Sequence, residues 1–186
     1  MGRVIPAPSS FNPLKRKYMA CTQTLAGIIR DCLPNMGGIR AVYLANYADV
    51  SSLTEASGAI SAVSMAGSAK FYKYEFARNT SSMASNYAVN AENGTTYVET
   101  DLLMVFNRMD TTKRLEIVAL AQGELVAIVE DNNGNMWYLG HDEPLTLNAG
   151  DGLTGTARAD RNGYSVTLRD NSREMPFPFT GTVPIS

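Results

Sequence analysis

The sequence predicts a mainly β protein: an antiparallel β-sandwich or small barrel with one mid-chain α-helix and extended N- and C-terminal arms. Short runs rich in Val, Ile, Tyr and Phe recur along the chain, each bounded by Gly, Asn or Asp. A helical spacing of apolar residues occurs in one stretch only, TTKRLEIVALAQG. Prolines gather at the two ends, where they disfavour helix and remove ladder donors.

Composition narrows the function. The 186 residues suit one domain with a real core. A net charge of -2 lacks the positive excess of a nucleic-acid binder, so nucleic acid is not an expected specific partner. No apolar run approaches the roughly 18–20 residues that span a bilayer, and the first residues lack the apolar block of an export signal. Neither membrane insertion nor export is expected. Cys21 and Cys32 have no neighbouring ligands to complete a zinc site. They read as two small buried hydrophobes, with a bridge between adjacent strands open in an oxidising compartment.

The first seventeen residues, MGRVIPAPSSFNPLKRK, form an extended arm because Pro6, Pro8 and Pro13 break both ladders and helix. Such an arm is either disordered or ordered on another surface, and Val4, Ile5, Phe11 and Leu14 are its candidate intersubunit contacts. Residues 18–179 are expected to form a single domain, with 180–186 as a tail. After a Gly-Gly start, IRAVYLANYADV is a strand by propensity. The small, polar stretch that follows reads as a connection with one short strand near Ile60–Met65. FYKYEFAR alternates, which predicts a strand burying Tyr72, Tyr74 and Phe76 on one face. Residues 79–97, rich in Ser and Asn, read as a polar intersubunit loop that adds Met83 and Tyr87 as candidate contacts, with a turn at Asn93-Gly94.

A strand over Thr96–Arg108 precedes the helix, expected near 110–122. Asp110 or Thr111 caps its start, Leu115, Val118 and Ala119 form its apolar face, and Gly123 stops it. ELVAIVE and the segments after it form a meander, closed by MPFPFTGTVPIS lying across a surface.

EDNNGNMWYLG tests for a calcium loop. From Asp131 an EF loop would need glycine at its sixth place and glutamate at its twelfth, but the chain has Met136 and Asp142 there. Strand-like flanks agree, so Asn133 and Gly134 are expected to form a hairpin corner. Asn162 and Gly163 are read the same way, and GDG at 150–152 as another turn. No metal, cofactor or catalytic residue is expected. His141, the single histidine, stands beside Asp142 and Glu143, and Asp151, Asp160 and Asp170 follow, but no spacing forces them together. They read as acids at turn ends, and no enzyme is expected.

The order of these elements resembles the tail tube proteins of long-tailed bacteriophages and their contractile-injection-system relatives. GGIRAVYLANYADV, AGSAKFYKYEF, TTKRLEIVALAQG, VEDNNGNMWYLG, TGTARADRNGYSVTL and MPFPF also resemble segments of phage and prophage structural proteins from gut Bacteroidetes, over residues 31–179. The resemblance implies a virion protein, made in the bacterial host cytoplasm. Its copies would form rings, six to a ring, stacked into a hollow tube for DNA passage, with other tail proteins as partners. Edge strands would pair with the next subunit, the arms would strap subunits together, and a polar inner wall would let DNA slide. The basic residues 14–17 depart from such a wall. Two other readings stand beside it. One is a connector, ring or tail-terminator protein that closes after one ring. The other is a monomeric glycan- or calcium-binding module using exposed Trp137 and Tyr138.

Overall fold

The computed structural model describes residues 25–186. Val4, Ile5, Phe11, Leu14 and Cys21 lie outside the described residues, while Cys32 is exposed. The chain divides after Pro34, and Asn35–Ser186 form a compact unit by themselves. Before it, residues 25–34 are exposed and hold neither strand nor helix.

The compact unit is mainly β. It runs β1 (Ile39–Asn46), a 3-10 turn (Tyr47–Asp49), β2 (Val50–Ala56), β3 (Ala59–Met65), β4 (Tyr72–Glu75), β5 (Ser82–Asn90) and β6 (Thr95–Asn107). Then come α1 (Thr111–Gln122), β7 (Leu125–Asp131), β8 (Met136–Leu139), β9 (Thr146–Leu153), β10 (Gly163–Ser172) and β11 (Phe177–Phe179). Seven strands form one sheet in the order β2-β3-β11-β8-β7-β1-β4, and four form another, β5-β6-β10-β9. Pairing is antiparallel except where β11 meets β3 in parallel.

A flat seven-stranded sheet is excluded by chain length. β1 and β2 stand five places apart in that order, about 24 Å at the usual strand spacing. The step from Asn46 to Val50 reaches about 14 Å even when fully extended, and here it is wound into the 3-10 turn. The sheet is therefore rolled into an open barrel. Its interior holds Ala41, Tyr43, Ile60, Val126, Ile128, Tyr138 and Phe179. Phe71 is fully buried there and is tied to the C-terminal residues: its N–H donates to the Pro184 carbonyl, and its own carbonyl accepts from the Ser186 N–H.

The roll buries β1 and β7 on both faces. Val42, Leu44, Ala127 and Val129 point away from the barrel interior and pack with Leu102, Met104, Val166 and Leu168 of the four-stranded sheet. That accounts for the unbroken apolar runs AVYLA and LVAIV, since a strand covered twice has no polar side.

Several expectations need correction. Residues 79–97 are not a loop. Ser82–Asn90 pairs with residues 95–103 without a register break, and only residues 79–81 and the turn after Asn90 lie outside the ladder. Val50–Ala56 is a strand too, joined to β3 through Ser57 and Gly58, both at positive φ. GDG at 150–152 lies inside β9. Asn162-Gly163 is not a tight corner: the β9–β10 connection covers residues 154–162, and Gly163 is already paired with Asn107 and Leu153. Glycine is required there because a Cβ would run into the Phe106 carbonyl oxygen.

The helix starts as expected, with the Asp110 carboxylate accepting from the Lys113 N–H at 2.8 Å. Its buried residue is Leu120, with Ile117 beside it, while Leu115 and Val118 are exposed. Gly123 ends it at a negative φ. Tyr74 on β4 and Phe76 just after it pack against the core but Tyr72 is exposed, and the fully buried aromatic of this stretch is Phe71.

Between β7 and β8 the corner is a three-residue loop. Asp131 N–H donates to the Asn135 carbonyl, Gly134 N–H to the Asp131 carbonyl, and Gly134 sits at φ 85°. A Cβ on Gly134 meets nothing, so strain is its only cost. Gly134→Ala is expected to cost about 1 kcal/mol. Gly163→Ala, which adds a backbone clash, should cost roughly 3 kcal/mol or more. Equal losses in urea unfolding of the two variants would contradict this assignment.

Candidate assembly interface

The four-stranded sheet has one covered face and one open face. Alternation sends Met83, Ser85, Leu102, Met104, Val166 and Leu168 toward the barrel. Their neighbours Ser82, Ala84, Asn86, Glu99, Asp101, Thr167 and Arg169 point the other way. This open face mixes small and polar residues with Tyr97, Leu103, Val105 and Leu153, which the registers place on the same side. Its strongest pair is Arg169 with Asp101, a two-pronged contact at 2.8 and 2.9 Å that holds the Asp101 carboxyl below its usual range.

The sheet ends in two edges, β5 and β9. Edge strands in monomeric proteins are blunted by charge, proline or bulges, because unpaired N–H and C=O groups recruit other strands. β5, SMASNYAVN, is nine residues long with no charge and no proline, and its pairing with β6 has no irregularity. β9 has one charge, Asp151, and one irregularity in its pairing with β10.

Of the two residues singled out on β5, Met83 packs against the core, whereas Tyr87 is 56% exposed. Val89, two places on and 68% exposed, was not singled out. Tyr87 and Val89 share the barrel-side face with Met83, but they lie toward the hairpin tip, where the core no longer covers them. The signal for Val89 was available: once β5 is taken as a strand, period two puts residues 83, 85, 87 and 89 on one side.

The Asn-rich corner is occupied by protein groups. Asp131 Oδ1 accepts the N–H groups of Asn133 and Asn135 at 2.8 and 2.9 Å. Burial pushes this carboxyl up, but the donors from Asn135 and Asn133 outweigh it and hold it low. Asn132 Nδ2 donates to the Gly37 carbonyl, and Asn133 exchanges two hydrogen bonds with Met36. The loop thus clasps the segment entering β1. Tyr138 is not exposed as a binding handle: it is buried, while Trp137 is half-buried against the core.

Of the acids, Asp160 caps its own loop through the N–H groups of Thr156 and Ala157, and Asp151 meets Ser165. His141 does gather partners. Its Nε2 lies 2.6 Å from Glu55 and its Nδ1 3.1 Å from Asp142, and its ring packs at a tilt against Phe177. Burial alone would lower the imidazole, but the carboxylates of Glu55 and Asp142 hold it above the usual histidine range. The Glu55 contact spans 86 residues, and nothing in the sequence foretells it. Among the described residues, no three His, Cys, Asp or Glu gather closely enough to hold a metal, and no helix is long and apolar enough to cross a membrane.

No family model, curated protein or solved structure matches this chain.

Asp170 is 2% exposed, and burial pushes its carboxyl up to about 6. Below about pH 4 the group is neutral in both folded and unfolded chains and costs nothing. As pH rises toward 6 the unfolded chain ionises first, so folding loses stability and does not regain it above. Asp170→Asn is expected to stabilise the protein by about 1–2 kcal/mol at pH 7, with the gain vanishing near pH 4. Thermal melts across that range check this, and a gain independent of pH would refute the ionisation cost.

Proposed function

We propose that this chain is a structural subunit that joins copies of itself through the edges of its four-stranded sheet, as a tail tube subunit of a bacteriophage does. The single observation that carries the reading is the unprotected β5 edge, beside exposed Tyr87 and Val89. β5 and β9 are different edges of one sheet, so pairing β5 of one copy with β9 of the next is a heterologous contact. Repetition of such a contact closes a ring or runs on as a filament. A closed ring of this kind turns the four-stranded sheets into a continuous barrel and removes every one of their edges.

The open face fits the wall of such a channel. Ser82, Ala84, Asn86 and Thr167 are small or polar beside the larger Tyr97, Leu103 and Val105, and the acids Glu99 and Asp101 outnumber the paired Arg169. Phosphate backbones are held by lysine and arginine, and this face offers no cluster of them, so DNA would slide. The setting is then the virion tail, after synthesis in the host cytoplasm. Rings that stack make a tube; a ring that stays single makes a connector or terminator.

Negative-stain electron microscopy, beside the mass in solution, tests the reading. Rings or tubes with a central channel are expected, and a 20.1 kDa monomer at tens of micromolar would overturn it. Tyr87→Lys with Val89→Lys should abolish assembly and leave the melting temperature within a few degrees, since both side chains are exposed. Removing residues 1–17 should leave the domain folded and weaken assembly, read as smaller particles at equal concentration.

A further inference from the structure

At the far end of β8 from the Asn-rich corner, a cavity of about 430 Å³ opens between the β2–β3 turn, the residues after β8 and the segment joining β10 to β11. Glu55, Tyr138, His141, Asp170, Glu174 and Phe177 are among its walls. We propose that this cavity binds the guanidinium or ammonium head of an organic cation, with the Asp170 carboxylate as its counter-charge.

The inference starts from an imbalance. Asp170 is almost wholly buried, yet its Oδ1 has no hydrogen-bond partner among the described residues. The nearby Gly140 N–H lowers this carboxyl, but burial outweighs it. A buried carboxylate with an unmet oxygen is costly, and a charge-assisted donor is what satisfies it.

The neighbouring cations are committed elsewhere. His141 is held by Glu55 and Asp142 at its two nitrogens. Arg173, which with Asp142 also lines the cavity, points its backbone N–H at Asp142 at 2.9 Å, while its exposed side chain reaches the same carboxylate only at 3.7 Å. Asp142 and Glu143 add negative potential at Asp170, and only His141 opposes them. The cavity therefore presents a surplus of negative charge to whatever enters.

Geometry selects the kind of cation. The carboxylates and histidine do not converge as metal ligands do, whereas a guanidinium or ammonium spreads several donors over a wider space. Met175, Pro176 and Phe177 supply an apolar wall for a short carbon stem. The same chemistry comes from a basic side chain of another copy or from a free small cation. The site belongs to the single subunit and does not depend on the assembly reading.

Isothermal titration of the full-length protein with N-acetyl-arginine amide tests it, with the neutral N-acetyl-citrulline amide as control. Saturable binding of the arginine compound and none of the citrulline compound is expected. Asp170→Asn should weaken binding tenfold or more, and Glu174→Lys, which sets a competing ammonium on the exposed rim, should weaken it as well. A cooperative melt for each variant separates lost binding from lost folding. Equal binding of the two compounds, or unchanged binding in both variants, would overturn the proposal. If the arginine compound also reduces particle size, the natural occupant is a side chain of another copy; if it binds and leaves size unchanged, the occupant is a free cation.

Discussion

The short step from β1 to β2 is the constraint on which the rest of the molecule depends. Because Tyr47–Asp49 cannot cross a flat sheet, the seven strands must roll, and rolling buries β1 and β7 on their inner sides. The outer sides of the same strands are also apolar, so a second layer has to cover them. β6 and β10 supply that layer, paired along ten residues, and α1 closes one end with Ile117 and Leu120. Only one face of the four-stranded sheet is used in doing so. Its other face and both its edges are left over, and the proposed role of the protein rests on this remainder.

β1 and β7 were legible because double burial writes itself as an apolar run, and the helix because Asp110 and Gly123 bracket a stretch whose apolar residues recur at helical spacing. The β5–β6 hairpin was misread for a physical reason. A strand at the edge of a sheet, half its length beyond the core, does not need apolar residues to form its ladder, so SMASNYAVN carries the composition of a loop. The helix face was misread because three apolar residues at helical spacing were available and the core used a different set. Leu115 and Val118 remain outside, and sequence alone does not say which stripe is covered. Asn162-Gly163 carries the letters of a hairpin corner, but there glycine answers to a close backbone approach rather than to a turn.

The Asn-rich corner shows why residue type matters more than composition. Asn133 both donates to and accepts from the backbone of Met36, which an aspartate could not do. Asp131, which only accepts, is turned inward to the loop's own N–H groups. Acid and amide thus divide the work of shaping the turn and pinning the segment that leads into β1. The run that looks most like a cation site spends its oxygens on protein donors.

Asp170 presents the opposite case. On β10 the barrel-facing stripe runs Val166, Leu168, Asp170, and a third apolar residue would continue the core without any ionisation cost. Nearby Thr100, also fully buried, satisfies its hydroxyl with Ser85 at 2.8 Å, so this end of the core can pair a polar group when it holds one. Its Oδ1 is left without a partner among the described residues, at the wall of a cavity where Glu55 and Asp142 are matched with His141 and Arg173. Among the described residues no donor reaches Oδ1, and the open side of the cavity is the direction from which a further positive charge can come.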